Sequence, residues 1–229
     1  MAFGEARGIA VIMGPNLVST DLTTARGALR PERGKTEHLI NCRFLLRDYV
    51  FCLLDTGARP GIELFGMKWR QVKFAEDFTS VVMRVSGKTG ARQILGMERT
   101  VHALKAIADR NYSVKSIDGL ITLTKTSSEF IFRTSDKINP IGSFQRTFSI
   151  FLKENDLLVD PKTEQNRVFY SLRHTYATLA LTNDNVPIHT LARQMGTSVL
   201  MIEKHYSHLS VIQAIDQLRG QKTRDLLLD

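Results

Sequence analysis

Cysteine is scarce in this chain of 229 residues, which contains only Cys42 and Cys52. Neither belongs to a Cys-x-x-Cys pair or to a Cys/His spacing of the kind that binds zinc, so the usual zinc modules are excluded. Both lie in an apolar helical pattern, and we therefore expect two buried thiols in a reducing compartment.

Long apolar runs and targeting signals are also missing. No apolar run is long enough to span a membrane, and the N-terminus lacks the basic-then-apolar layout of a signal peptide. The carboxylates form no cluster for two metal ions, which disfavours a metal-dependent nuclease. The triplet Gly87-Lys-Thr89 lacks the upstream glycine of a phosphate-binding P-loop. We expect a cytoplasmic protein with no cofactor, no metal and no membrane partner.

Positive charge is what the chain has in excess. With 31 Lys and Arg against 23 Asp and Glu, its formal net charge is +8, and 43% of its residues are hydrophobic. Such a composition is typical of a globular protein with a buried core. The excess charge favours a polyanionic partner, most commonly nucleic acid, although many basic proteins bind no DNA.

Apolar periodicity predicts an α+β fold that is mainly α-helical. Helical spacing is found in residues 37–54, 99–110, 143–155, 172–181, 188–195 and 199–205. Gly57 and Gly196 are placed to end two of these helices. Residues 80–85 and 93–97 predict a small antiparallel β-hairpin with Lys88 near its tip. Residues 111–127 are expected to form a loop, with at most a short helical turn.

Two cations stand beside predicted turns. Pro60 fits the first turn of a helix, which would put Arg59 at a helix start, where an anion is favoured. The alternative is a surface arginine paired with Glu63. Lys88 is either a solvated turn lysine or a mobile cation delivered to a reactive phosphate.

The segment from Tyr170 to Tyr176 has the clearest chemical content. Arg173 and His174 stand at the start of an apolar helix, for which Ser171 is a plausible N-cap. Tyr206 stands later among basic and histidine residues. If a tyrosine attacks a DNA phosphodiester, paired arginines suit the non-bridging oxygens and a lysine or histidine can protonate the 5′-oxygen. The covalent phosphotyrosine conserves the bond for resealing without metal or ATP.

Three blocks in this order resemble the catalytic domain of tyrosine recombinases, the phage integrases, over roughly residues 35–210. They are Thr56-Gly-Ala-Arg-Pro-Gly61 with Glu63 and Trp69 following, the hairpin with Ser86-Gly-Lys-Thr89, and Leu172-Arg-His-Thr-Tyr-Ala-Thr178 with Met195-Gly-Thr-Ser198 and His205-Tyr-Ser-His208. The resemblance implies a site-specific recombinase that cuts and rejoins DNA through a 3′-phosphotyrosyl intermediate. It also implies double-stranded DNA as the partner and self-association on DNA, as a tetramer.

The resemblance also assigns residues. Arg59 and Arg173 resemble the two catalytic arginines, Lys88 the hairpin lysine that acts as general acid, and Tyr206 the nucleophile. Supporting roles fall to Glu63 and His174.

Two positions depart from the family pattern. Tyr170 stands where the His-x-x-Arg motif has its histidine, and Thr197 stands where histidine or tryptophan is common. A phenol with a pKa near 10 is a poor base at pH 7, although both hydroxyls can hydrogen-bond a phosphate. We expect a working site with weaker or altered proton transfer.

The resemblance divides the chain into an irregular segment (1–34), the catalytic domain (35–210) and a helical tail (211–229). The N-terminal DNA-clamping domain of the family is not expected in so short a leading segment, so the chain is expected to be a fragment or a naturally short protein. A bacterial or phage origin and association with the nucleoid are expected. Two alternatives stay open: a type IB topoisomerase-like enzyme, and a catalytically impaired regulatory relic that still binds DNA.

Overall fold

Helices make up most of the computed structural model, which describes residues 35–87, 90–134, 144–161 and 163–206. They are α1 (Lys35–Thr56), α2 (Ile62–Phe65), α3 (Glu98–Tyr112), α4 (Ile117–Thr126), α5 (Gln145–Glu154), α6 (Phe169–Thr182), α7 (Ile188–Met195) and the described part of α8, over 199–206. Within these ranges no helix has both the length and the apolar character needed to cross a membrane. The segments 1–34 and 211–229, and Lys88, lie outside the described residues.

One antiparallel sheet accompanies the helices, in the order β1 (Val72–Phe74), β2 (Val81–Gly87) and β3 (Gly90–Gly96). The predicted hairpin is β2–β3, and β1 adds a third strand to it. Alternate side chains of β2 are buried, whereas Val82 and Arg84 between them are exposed. The sheet therefore covers the core with one face and presents the other to solvent. The mainly helical α+β class is confirmed.

Two buried clusters hold the elements together. The larger lies between α1, the sheet, α3, α4, α5 and the start of α6, and it includes Tyr49, Trp69 and Cys52, each fully buried. Cys42 is only half-buried. The smaller cluster joins the end of α6 to α7 and α8, and Tyr206 belongs to it. The candidate nucleophile is thus part of a packed core.

The predictions for residues 111–127 and for the start of α6 are wrong. Residues 117–126 form a helix, because the Ser116 hydroxyl accepts a hydrogen bond from the Gly119 N–H (3.1 Å) and Leu120 packs into the core. Helix α6 begins at Phe169, two residues before Ser171. Buried Phe169 stacks on Phe148 with ring centroids 4.2 Å apart, so tertiary packing sets this helix start.

Candidate active site

A glycine turn at the end of α1 brings the first arginine toward α6. Gly57 has φ of 62°, a left-handed conformation that suits glycine. The ring of Tyr176 packs against this turn so closely that a Cβ at position 57 would lie 2.2 Å from its Cδ1 atom. The absence of a side chain at Gly57 allows α1 and α6 to approach each other closely here. Arg59 follows two residues later.

Arg59 is paired with Glu63, as the alternative interpretation of this segment predicted. The Arg59 backbone N–H donates to Oε2 of Glu63 (2.8 Å), and its Nη1 donates to Oε1 (3.1 Å). Its Nη2 donates to the carbonyl of Gly196. The predicted helix start at Arg59 is wrong, because α2 begins only at Ile62. A buried carboxylate, rather than a helix terminus, orients this arginine.

Arg173 is buried and fixed by two backbone carbonyls. Its guanidinium donates to the carbonyl of Gly57 and to that of Met195 (2.7 Å). Burial lowers the pKa of Arg173, but a guanidinium keeps its charge at neutral pH. Arg59 and Arg173 are therefore attached to the adjacent carbonyls of Gly196 and Met195, at the end of α7.

Arg92 is a component of this site that sequence reasoning missed. Its Nη1 and Nη2 donate to the two carboxylate oxygens of Glu63 (2.5 and 2.8 Å), and its Nη2 also reaches the Met195 carbonyl (3.1 Å). Burial opposes the charge of Glu63, but the hydrogen bonds from Arg92 and Arg59 outweigh it and lower its pKa. The sequence did contain a signal for this position. Side chains alternate along a strand, so Arg92, two residues before the core-facing Ile94, points to the same face of the sheet as Ile94.

Gln194 attaches α7 to the other elements of the site. Its side-chain amide donates to the carbonyls of Thr56 (2.9 Å) and Leu95 (2.7 Å), and its oxygen accepts from the Leu95 N–H (3.0 Å). The end of α7 is thereby fixed to the end of α1 and to β3. The Met195 and Gly196 carbonyls, which orient the arginines, directly follow Gln194 and are therefore fixed relative to both α1 and β3.

Tyr206 and His174 form the other half of the site. The Tyr206 hydroxyl lies 2.5 Å from Nδ1 of His174. Burial raises the pKa of Tyr206 to about 12, partly offset by Arg173. Burial, together with the charges of His205 and Arg173, lowers the pKa of His174. At neutral pH the imidazole is therefore uncharged, and its Nδ1 and the phenolic oxygen are close enough to share a hydrogen bond.

The two residues that depart from the family pattern lie at the start of α6 and directly after the end of α7. Tyr170 is 48% exposed in the first turn of α6, and its ring centroid is 5.3 Å from that of His174. Thr197 is half-buried directly after Gly196, with its backbone N–H bonded to the Ala192 carbonyl (2.9 Å). Of the predicted site residues, only Lys88 lies outside the part of the chain described here.

The assembled site combines a phenol hydrogen-bonded to a neutral imidazole with three arginines and one carboxylate. Tyr206 is within reach of an acceptor for its proton, and the guanidinium groups offer donors in fixed directions. Among the described residues, no group of three or more His, Cys, Asp or Glu side chains is arranged to hold a metal ion. The arrangement suits nucleophilic attack on an anionic phosphodiester.

Solved structures with the same fold include several recombinases. The Tn1549 transposon integrase in complex with transposon right end DNA matches with a TM-score of 0.55 and 17% identity, over 84% of this chain and 66% of that one. XerA recombinase matches with a TM-score of 0.52 and 20% identity, over 79% and 63%. The XerH site-specific recombinase bound to its difH substrate matches with a TM-score of 0.52 and 17% identity, over 76% and 47%. The chain thus spans about half to two thirds of their length.

Comparison of the sequence with models of protein families identifies the family of this chain. No curated protein matches the chain in sequence. The sequence model of the phage integrase family, in contrast, matches residues 41–211, which is most of the chain and contains every candidate site residue. The chain therefore belongs to the phage integrase family of tyrosine recombinases.

Proposed function

We propose that this chain carries the catalytic domain of a site-specific DNA recombinase, an integrase that cuts and rejoins duplex DNA through a 3′-phosphotyrosyl intermediate. One observation carries the proposal. The hydroxyl of Tyr206 is hydrogen-bonded to a neutral imidazole, in a site where Arg59 and Arg173 are held by adjacent carbonyls. The family supports the same chemistry.

In the cleavage step, Oη of Tyr206 attacks the scissile phosphorus and its proton passes to Nδ1 of His174. The bond from phosphorus to the 5′-oxygen breaks, and that oxygen takes its proton from Lys88. Arg59 and Arg173 hold the non-bridging oxygens, on which negative charge develops. The products are a 3′-phosphotyrosine and a 5′-hydroxyl. Attack by a 5′-hydroxyl of another strand reverses each step, so rejoining needs neither ATP nor a metal.

The positioning groups act through the arginines. Glu63 orients both Arg59 and Arg92, and Arg92 fixes the Met195 carbonyl that also binds Arg173. Tyr170 supplies a hydroxyl to a phosphate oxygen, and Thr197 donates one hydrogen bond. Neither replaces a histidine in proton transfer, so cleavage is slower than with histidine at these positions.

Duplex DNA containing the ends of a mobile element is the proposed substrate, bound by a tetramer of this protein in a bacterial or phage-infected cell, in the cytoplasm at the nucleoid. A type IB topoisomerase-like enzyme would use similar chemistry, but it would need neither a defined site nor two duplexes. A regulatory relic would bind DNA and form no covalent adduct.

Covalent trapping tests the proposal. The protein is incubated without metal with nicked duplexes that carry the ends of its own element, and adducts are separated on a denaturing gel. We expect an adduct that is absent in Tyr206→Phe and reduced in Arg59→Ala, Lys88→Ala and Arg173→Ala. Tyr112→Phe is the matched control, because it removes a tyrosine hydroxyl that contacts Trp69 and Arg133 and none of the candidate site residues that the structure describes. Intact protein that binds these ends without forming any adduct would favour the regulatory relic.

A further inference from the structure

The exposed face of the three-stranded sheet contains a basic groove. Its volume is about 610 Å³, and four cations line it: Lys68, Arg70, Lys73 and Arg84. The other lining residues are neutral, and no carboxylate is among them. The groove is therefore positive along its whole described length.

Among the described residues, the four cations have no acidic partner. In the described ranges none of them takes part in an ion pair, whereas Arg47 and Arg110 are both paired with Asp48. Lys68 lies over the ring of Phe130, 4.8 Å from its centroid, which leaves its charge in place. Uncompensated charge in a concave surface creates a potential that attracts a polyanion.

The fold holds the groove in one shape. Strand alternation puts Lys73 and Arg84 on the outward face, where Lys73 is opposite Val82. The short 3₁₀ turn Trp69–Gln71 carries Arg70, and buried Trp69 anchors that turn in the core. The Gln71 amide donates to the Arg84 carbonyl (3.0 Å), which fixes the turn against β2.

The groove and the catalytic cluster lie on opposite faces of the sheet. Arg92 and Gln93 are neighbours on β3, and their side chains point in opposite directions. Arg92 contacts Glu63 and the carbonyls of α7, whereas Gln93 lines the groove. A ligand in the groove is therefore separate from the strand held at Tyr206.

We infer that this groove binds the phosphate backbone of duplex DNA, as a contact additional to the one at the catalytic cluster. Lysine and arginine side chains without acidic partners are the groups that neutralise DNA phosphates, and such contacts are independent of sequence. The inference rests on the proposed function only in taking DNA as the polyanion. According to this inference, the outward face of the sheet contacts a stretch of duplex away from the scissile phosphate.

Binding of the full chain to a fluorescent duplex of arbitrary sequence, measured by anisotropy over a salt series, tests the inference. The test variant is Arg70→Gln/Lys73→Gln/Arg84→Gln. The matched control, Lys115→Gln/Arg146→Gln/Lys153→Gln, removes the same net charge from exposed positions outside the groove. We expect the test variant to bind about tenfold or more weakly at about 100 mM salt, with a slope of log K against log salt smaller by about 2 to 3.

The control variant is expected to keep a steeper salt slope and tighter binding than the test variant. Equal affinity and slope for the two variants would overturn the inference, including the case in which the groove binds an acidic protein segment instead. Thermal unfolding of both variants verifies that they fold. An adduct assay on wild-type protein separates the two proposals. If the test variant binds DNA more weakly than the control but wild-type protein forms no adduct, the proposed function alone is contradicted. If wild-type protein forms an adduct but both variants bind DNA equally, the groove proposal alone is contradicted.

Discussion

The hydroxyl of Tyr206 and Nδ1 of His174 are 2.5 Å apart, although the two residues are separated by 32 positions in the chain. Tyr206, with a pKa of about 12, is a weak nucleophile at neutral pH unless its proton has an acceptor. Nδ1 of His174 is close enough to this hydroxyl to serve as that acceptor, which is the role we propose for it. This histidine stands one helical turn after Tyr170, which occupies the position where the family has a histidine.

Replacing His174 tests its role as proton acceptor. We expect His174→Gln to slow adduct formation by about 10² to 10⁴-fold, because glutamine can hydrogen-bond the phenol but cannot take its proton. His205→Gln is the control, since His205 is exposed and lies beside the pair without bonding the Tyr206 hydroxyl. Single-turnover rates of adduct formation would measure both. Equal rates for the two variants would contradict the role.

The pH profile of cleavage follows from the lowered pKa of His174. A proton acceptor must be uncharged. Burial, together with the charges of His205 and Arg173, lowers the pKa of His174, so this imidazole stays uncharged to a lower pH than an ordinary histidine does. We expect the rate to stay level as pH falls from 7 through about 6.5, the usual histidine pKa, and to decline only at lower pH. A rate that already halves at about pH 6.5 would contradict this expectation. Single-turnover rates measured at saturating DNA and constant ionic strength separate this effect from changes in DNA affinity.

Tyr170 offers a test of the departure from the family pattern. We expect Tyr170→Phe to slow adduct formation by about three- to tenfold, the value of one hydrogen bond to the phosphate. Tyr170→His introduces a group that is charged below about pH 6.5, and a charge-assisted bond is roughly twice as strong. Its rate should therefore rise relative to wild type as pH falls from 7 to about 6. A constant ratio of the two rates would indicate that position 170 does not touch the phosphate.

The carboxylate of Glu63 depends on Arg92 for its charge. Glu63 is almost completely buried, and removing Arg92 leaves Arg59 as its one ion-pair partner among the described residues. We expect Arg92→Gln to lower the free energy of unfolding by about 3 kcal/mol, as when one partner of a buried ion pair is lost. Arg84→Gln, on the exposed face of the neighbouring strand, should change it by less than about 0.5 kcal/mol. Denaturant unfolding measures both variants.

Close packing at Gly57 can be tested with a double-mutant cycle that includes Tyr176. Gly57 has positive φ, and a Cβ at this position would collide with the ring of Tyr176. In a Tyr176→Ala background, we expect Gly57→Ala to cost about 1 to 2 kcal/mol in unfolding free energy for the backbone alone. In the wild-type background it should cost about 1 to 3 kcal/mol more, because the ring of Tyr176 must move. Equal losses in the two backgrounds would contradict the observed packing.

Apolar periodicity was sufficient for the helices that bury one face, such as 37–54 and 188–195, and for the hairpin. It failed at α4 and at the start of α6, where packing of Leu120 and Phe169 outweighs local propensity. The catalytic roles of the candidate residues remain predictions. Motif order gave those residues, but spacing along the chain contains no information about which carbonyl or carboxylate each one meets.

The sequence by itself determined the family, the mainly helical fold and the identity of the arginine, histidine and tyrosine residues on which the proposed chemistry depends. Tertiary structure alone decided that Arg59 bonds Gly196 across 137 positions, that Arg92 joins Glu63, and that His174 meets Tyr206. It also decided that Lys68, Arg70, Lys73 and Arg84 share one groove on the face of the sheet away from the site. The reason is physical: local pattern fixes which face of an element is buried, whereas partners far apart in sequence are chosen only when those faces pack together.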